Sequence, residues 1–267
     1  MSRSILRRIH GERVLLAGGQ RSLVMQLAHP LVAAAVADHS DFPANALERL
    51  DRTMDLTLSL VHGSPKKADQ AAAHIKSVHR RITGVAETGG EKRPYRAGDP
   101  KLLLWVHATV VDTTMLVYRH FVGSLSAREQ QTYYEAMKEP ARLLGVPDRV
   151  LPPDLSSFRR YMRGMIDGPE LQATDAGRSL VASVLRPPVR LALRPATEAG
   201  RLVTLALLPD RIRELFGLEA RPPTRLTLAV TSRVSRALLP LLPASVRTFP
   251  QAREVGSHVR ADVSEVP

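Results

Sequence analysis

The stretch from Pro100 to Val122 constrains the fold most. It is apolar almost all round, and a helix of that kind has to be enclosed by other elements. A bilayer span takes about 20 consecutive apolar residues. The densest part here, Leu102 to Val117, is shorter and is interrupted by His107, Asp112 and the pair Thr113-Thr114. It reads as the central core helix of a globule, started by Asp99 as cap and Pro100 in the first turn. On it His107, Val111, Thr114 and Tyr118 share a face where a histidine, a hydroxyl and a phenol can line a cavity. Asp112 points away from that face, towards Ala108 and Arg119, and is expected to make a structural pair.

Helical spacing recurs along the rest of the chain. Apolar positions predict helices over Glu12 to Ala28, Leu31 to Asp38, Ala44 to His62, Lys67 to Thr83, Ala127 to Leu144 and Leu155 to Ile166. Further helices are expected over Ala176 to Leu185, Thr197 to Leu208, Asp210 to Phe216, Thr224 to Leu239 and from Ala244 onward, shortened by prolines. Ser124 or Ser126 caps the helix from Ala127, with Glu129 completing a capping box if Ser126 is the cap. Gly18-Gly19 implies a kink or a close approach of another element, and Gly84 suits the left-handed cap that ends a helix. Thr88 to Gly98, rich in glycine and charge, reads as a loop. No segment shows two-residue alternation bounded by turns. The expected fold is therefore all-α, one multi-helix domain over residues 1–255 with added C-terminal helices and a tail over 256–267.

Composition narrows the chemistry. With 267 residues, 44% of them hydrophobic, the chain can bury a substantial core. The absence of cysteine excludes disulfides, iron–sulfur clusters, thiolate-ligated haem and a cysteine nucleophile. A formal charge of +12 favours anionic partners. It is spread over pairs such as Arg80-Arg81 and Arg159-Arg160, and the few aromatic residues make no base-stacking surface, so no nucleic-acid partner is expected. Peripheral membrane contact through the basic C-terminal half stays open. Met1 to Gly11 lacks the apolar core of a secretory signal, which points to the cytoplasm. There is no Glu-x-x-His, no His-Glu-x-x-His, no phosphate loop and no nucleophile elbow.

Histidines then carry the argument. His79 falls on the stripe of Ala71, Ala72, Ile75, Val78 and Ile82, so its imidazole is expected to face the core either as a hydrogen-bonded residue or as a ligand. The preceding helix carries Arg49, Arg52 and Thr53, and the following one carries His107. Arg49 and Thr53, four apart, can address one ligand group from the same side. Arg49 can equally pair with Glu48 or Asp51 on an exposed face. Histidine, arginine and hydroxyl groups converging on one interior suit a bound haem.

Several motifs in fixed order resemble a known family. Leu27-Ala28-His29-Pro30, Arg49-Leu50-x-Arg52-Thr53, Val78-His79 followed by Gly84, Tyr95-x-Ala97-x-Asp99-Pro100 and Trp105-Val106-His107 with Asp112 are similar to those of the DUF2236 family. That domain is shared by the ER-bound oxygenase MpaB and the rubber oxygenases. The resemblance implies a globin-reminiscent helical core holding haem b. It also implies dioxygen as co-substrate and a hydrophobic, lipid- or terpenoid-like small molecule as substrate. It makes His79 the proximal iron ligand, places Arg49 and Thr53 on the distal or propionate side, and leaves His107 to support the pocket. The rubber oxygenases carry a lysine just before the threonine. Arg52 stands there in this chain, and a guanidinium that stays protonated ligates iron poorly, so the resemblance implies an open distal side. Two other readings share these residues: a haem sensor or carrier without oxygenase activity, and a haem-free helical scaffold associated with membranes.

Overall fold

A computed structural model describes residues 2–40, 56–220 and 222–252. Its first helix, α1 (Ser2–His10), is one that the sequence pattern missed. Ile5, Leu6 and Ile9 bury a single face of it, and the arginines between them stay on the other. A 3-10 turn over Arg13–Gly18 leads into α2 (Gly19–Leu27), so the expected helix from Glu12 is split at the glycine pair. A Cβ on Gly18 would lie 2.6 Å from Thr113 Cγ2 and 2.8 Å from Val117 Cγ2, which is the close approach that only glycine permits there. Helix α3 (Pro30–His39) starts at its proline, with the His29 ring accepting from the Leu31 amide.

Residues 56–62 are helical, and α4 (Pro65–Arg81) follows, its N-terminus capped by the Ser64 hydroxyl. Beyond α4 the chain makes a hairpin, β1 (Thr83–Thr88) and β2 (Glu91–Arg96), paired antiparallel from Thr83 with Arg96 to Thr88 with Glu91. This replaces the loop expected from Thr88 onward. Gly89 and Gly90 both take positive φ, the conformation that closes a tight two-residue turn. Gly84 is therefore no helix cap: α4 ends at Arg81, and Gly84 lies in β1 opposite Tyr95.

Helix α5 (Pro100–Phe121) is the central one, and Trp105, Ala108, Val111 and Val117 on it are fully buried. Around it pack the 3-10 turn, α2, α6 (Ala127–Leu144) and α11 (Pro222–Leu238). Helix α6 carries the predicted capping box and ends at Gly145 in the left-handed conformation. Between α6 and α11 come α7 (Leu155–Asp167), α8 (Asp175–Leu185), α9 (Arg194–Leu207) and α10 (Asp210–Phe216). Helix α12 (Ala244–Arg247) returns to the start of the chain. There Glu12 bridges Thr248, the Phe249 amide donates to the Gly11 carbonyl, and Arg247 grips both oxygens of the Glu12 carboxylate. The fold is all-α apart from the hairpin. Among the described residues no helix is long and apolar enough to cross a membrane.

Candidate functional site

Helix α4 packs on α6 through Ala68, Ala71 and Ala72, small residues that let the two axes come close. His79 lies on the same stripe one turn beyond Ile75, where the helix runs out towards the hairpin. There it is half-buried, and Val78, expected beside it in the core, is turned outward and 45% exposed. The imidazole faces a cavity of about 640 Å³ lined also by Arg80, Thr83, Arg96, Gly98, Asp99 and Pro100. Burial lowers the His79 pKa below the ordinary histidine value, so the ring is neutral at pH 7 with a lone pair to offer. Asp99 is committed to capping α5, accepting from the Lys101 amide at 2.7 Å. Arg80 and Arg96 leave the cavity favourable to an anionic group.

The hairpin wall of this cavity is pinned to α3. Tyr95 is buried and its hydroxyl donates to the Asp38 carboxylate at 2.5 Å. Burial, with this bond, pushes the phenol up to about 12. His39 stands edge-on to the Tyr95 ring, and its Nε2 is 3.2 Å from the Thr83 carbonyl. A Cβ on Gly84 would fall 2.4–2.8 Å from Tyr95 atoms, so glycine there lets the ring lie flat under the strand.

His107 does not line that cavity. It belongs to a second interior group, together with His10 from α1, His62 and Tyr133 from α6. His10 Nε2 is 2.9 Å from the Tyr133 hydroxyl, and the two rings stack with centroids 5.7 Å apart. Burial, reinforced by neighbouring His62 and His107, pushes His10 down to about 3. Burial also takes His107 to about 4, opposed by a hydrogen bond to the Met137 backbone. His62 is 2% exposed and lies beside the His10 backbone, but neither ring nitrogen meets a partner at hydrogen-bond geometry. Sequence reasoning named only His107 of this group. The signal for the others was present, since His10 lies four residues after Leu6, and His62 four after Leu58, at helical spacing.

The rest of the expected α5 face is confirmed in place. Val111, Thr114 and Tyr118 are buried, and Thr114 shares a hydrogen bond with the Tyr133 hydroxyl. Asp112 does form a structural pair, but with Arg21 at 2.8 Å rather than with Arg119. Arg49, Arg52 and Thr53 lie outside the described residues. The structure thus joins His79 to Arg80 and Arg96, and joins His107 to His10 and His62.

The donor set at His79 fits a b-type haem. A porphyrin brings four nitrogens and needs one neutral imidazole from the protein, whereas a bare cation needs several side chains. Among the described residues no three histidines or carboxylates converge as a metal cage. Guanidiniums suit propionates, and the cavity falls within the roughly 300–1,000 Å³ usual for small-molecule sites.

Fold and site together define an all-helical protein with a neutral histidine at a cavity, backed by a helical core that holds further buried histidines. Within that class the chain belongs to the family described as ER-bound oxygenase mpaB/B'/rubber oxygenase, catalytic domain, whose model matches residues 7–238. Among its relatives are the uncharacterized proteins Mb2261 of Mycobacterium bovis and Rv2237 of Mycobacterium tuberculosis, each 27% identical over 163 residues. The match covers 57% of this chain and spans about 60% of the length of those relatives. No solved structure matches the chain.

Proposed function

We propose that the protein is a haem b-dependent oxygenase acting on a hydrophobic small molecule, with His79 as the protein ligand to iron. One observation carries this reading: a half-buried, neutral imidazole faces a cavity between two guanidiniums, inside the segment that matches an oxygenase catalytic domain. Bound haem would supply the redox chemistry by which dioxygen cleaves a carbon–carbon double bond, each carbon leaving with one oxygen atom as a carbonyl. The chain's own residues hold and orient. Arg80 and Arg96 take the propionates, and Arg49 and Thr53, by their place in the family's motif order, address the reacting side. Arg52, standing where a lysine would ligate, leaves that side open to dioxygen. His107 supports the interior behind α5. The dominance of Leu, Val and Ala over aromatic residues supports an aliphatic, lipid- or terpenoid-like substrate.

The test is the absorption spectrum of the full chain produced with haem supplementation, beside His79→Ala and His107→Ala. A Soret band with stoichiometric b-type haemochrome in the wild type, lost in His79→Ala and kept in His107→Ala, is the expected result. Loss in His107→Ala alone would move the ligand to the second histidine group. A wild type that takes up no haem would remove the oxygenase reading altogether. Haem uptake without oxygen consumption on isoprenoid or fatty-acid substrates would leave a sensor or carrier.

A further inference from the structure

Helix α11 is apolar on two sides. Its inner face against α5 and α9 seats Leu228 on Val117, Phe121, Val203 and Leu207, and beside it Thr224 and Ser232 are buried and Ser235 Oγ donates to the Phe121 carbonyl at 2.9 Å. Its outer face presents Leu226, Val230, Val234 and Leu238, each between 47% and 66% exposed. These four are spaced by four residues and form one stripe. The stripe runs on through the following 3-10 turn and α12, where Leu241 is 77%, Leu242 40% and Val246 55% exposed. Of the twelve exposed large apolar residues among the described ones, seven lie in this single segment, and a continuous patch of that kind marks an interaction surface.

The polar groups of the segment are arranged for an apolar surrounding. Thr227 and Thr231 return their hydroxyls to the carbonyls four residues back, at 2.8 and 2.7 Å, and Thr248 does the same at 2.7 Å. Such bonds satisfy a hydroxyl without water. Charge completes the pattern. From Pro222 to Ala252 there is no aspartate or glutamate, and the charged residues are Arg225, Arg233, Arg236 and Arg247. Arg233 is exposed two turns beyond Leu226, on the same edge of the stripe. Arg236 is exposed as well and donates to the Arg119 and His120 carbonyls at the end of α5.

We infer that the outer face of α11, with the turn and α12 after it, docks on an anionic lipid surface. Leu226, Val230, Val234, Leu238 and Leu241 enter the acyl boundary while Arg233 and Arg236 meet headgroup phosphates. A second copy of the chain fits the same face less well. A two-fold pairing would bring together two faces that each carry Arg233 and Arg236, with no carboxylate from either segment to relieve them. The inference is independent of what occupies the His79 cavity.

Flotation of the full chain with vesicles of phosphatidylcholine, and of phosphatidylcholine with phosphatidylglycerol, tests it. The wild type should float with the anionic vesicles and not with the neutral ones. Val234→Asp should lower partitioning at least about tenfold, and Arg233→Ala about fivefold, with far-UV circular dichroism unchanged because both side chains are exposed. Leu241→Trp gives an independent reading, with its emission shifting to the blue on anionic vesicles only. No flotation, equal flotation with both vesicles, or an unaffected Val234→Asp would overturn the inference. So would a wild-type dimer that Val234→Asp dissociates and that ignores vesicles, which would make the face a self-association surface.

Discussion

Arg21 of α2 and Asp112 of α5 are joined at 2.8 Å, with the guanidinium 4% exposed and the carboxylate 31% exposed. The same guanidinium donates to Thr113 Oγ1 at 2.5 Å and to the Leu207 carbonyl at 2.8 Å, so one side chain ties three helices together. Asp112→Ala leaves a buried cation without its counter-charge. The cost should be about 2–3 kcal/mol, below the roughly 3–5 kcal/mol of fully buried pairs because Asp112 is part-exposed and two neutral acceptors remain for Arg21. Urea unfolding midpoints would read it, and replacing Arg21 by Met in the same chain should recover part of the loss.

The buried histidines make stability depend on acid. His10 is pushed down to about 3, and His29 and His107 to about 4, in each case chiefly by burial. Their folded pKa values lie below the unfolded value, so the unfolded chain binds more protons in this range. The contribution is therefore whole above about pH 6.5 and is lost as pH falls towards 4. The slope approaches about 1.4 kcal/mol per pH unit for each histidine. Thermal midpoints between pH 7 and 5 should fall steeply in the wild type and less steeply in His10→Gln, and identical slopes would refute the assignment.

Gly18→Val should be among the most disruptive single changes in the N-terminal third. The new Cβ would meet Thr113 Cγ2 and Val117 Cγ2, both on β-branched residues held stiff in a helix. Thr113 is in addition held by Arg21. Overpacking of this kind costs about 1–3 kcal/mol. A calorimetric Tm unchanged by the substitution would mean that the 3-10 turn and α5 can separate freely.

At the candidate cofactor cavity, Arg80→Ala with Arg96→Ala should weaken haem binding by roughly tenfold to a hundredfold while leaving the Soret maximum in place. Charge-assisted hydrogen bonds to propionates set affinity, and the imidazole sets the spectrum. Haem titration followed by absorbance separates the two. A shifted maximum with unchanged affinity would place the arginines beside the iron instead.

Local grammar was legible in the sequence where a residue acts on its own neighbourhood. The caps at Asp99 and Ser126 and the proline starts at Pro30 and Pro100 work within one turn of chain. The hairpin was hidden because its buried positions, Ala86, Thr88 and Tyr95, are few and its outer ones are charged, so no clean alternation marks it. The site was legible by type but not by partnership. His79 and His107 stood out one by one, yet which groups each meets depends on how α4, α5 and α6 cross, a property of packing rather than of spacing. The arginine that meets Asp112 lies 91 residues away, beyond the reach of any local pattern.

The seam between Glu12 and Arg247 sets an order of events during synthesis. Its partners are 235 residues apart, so at ordinary elongation rates roughly 10–50 s separate the emergence of one from that of the other. Helix α1 waits as well, because Ile5, Leu6 and Ile9 are covered by α6, which begins more than a hundred residues later. The nascent chain therefore carries an amphipathic helix whose apolar face stays uncovered until α6 has emerged. That face is a natural client for a ribosome-associated chaperone until α6 arrives to cover it.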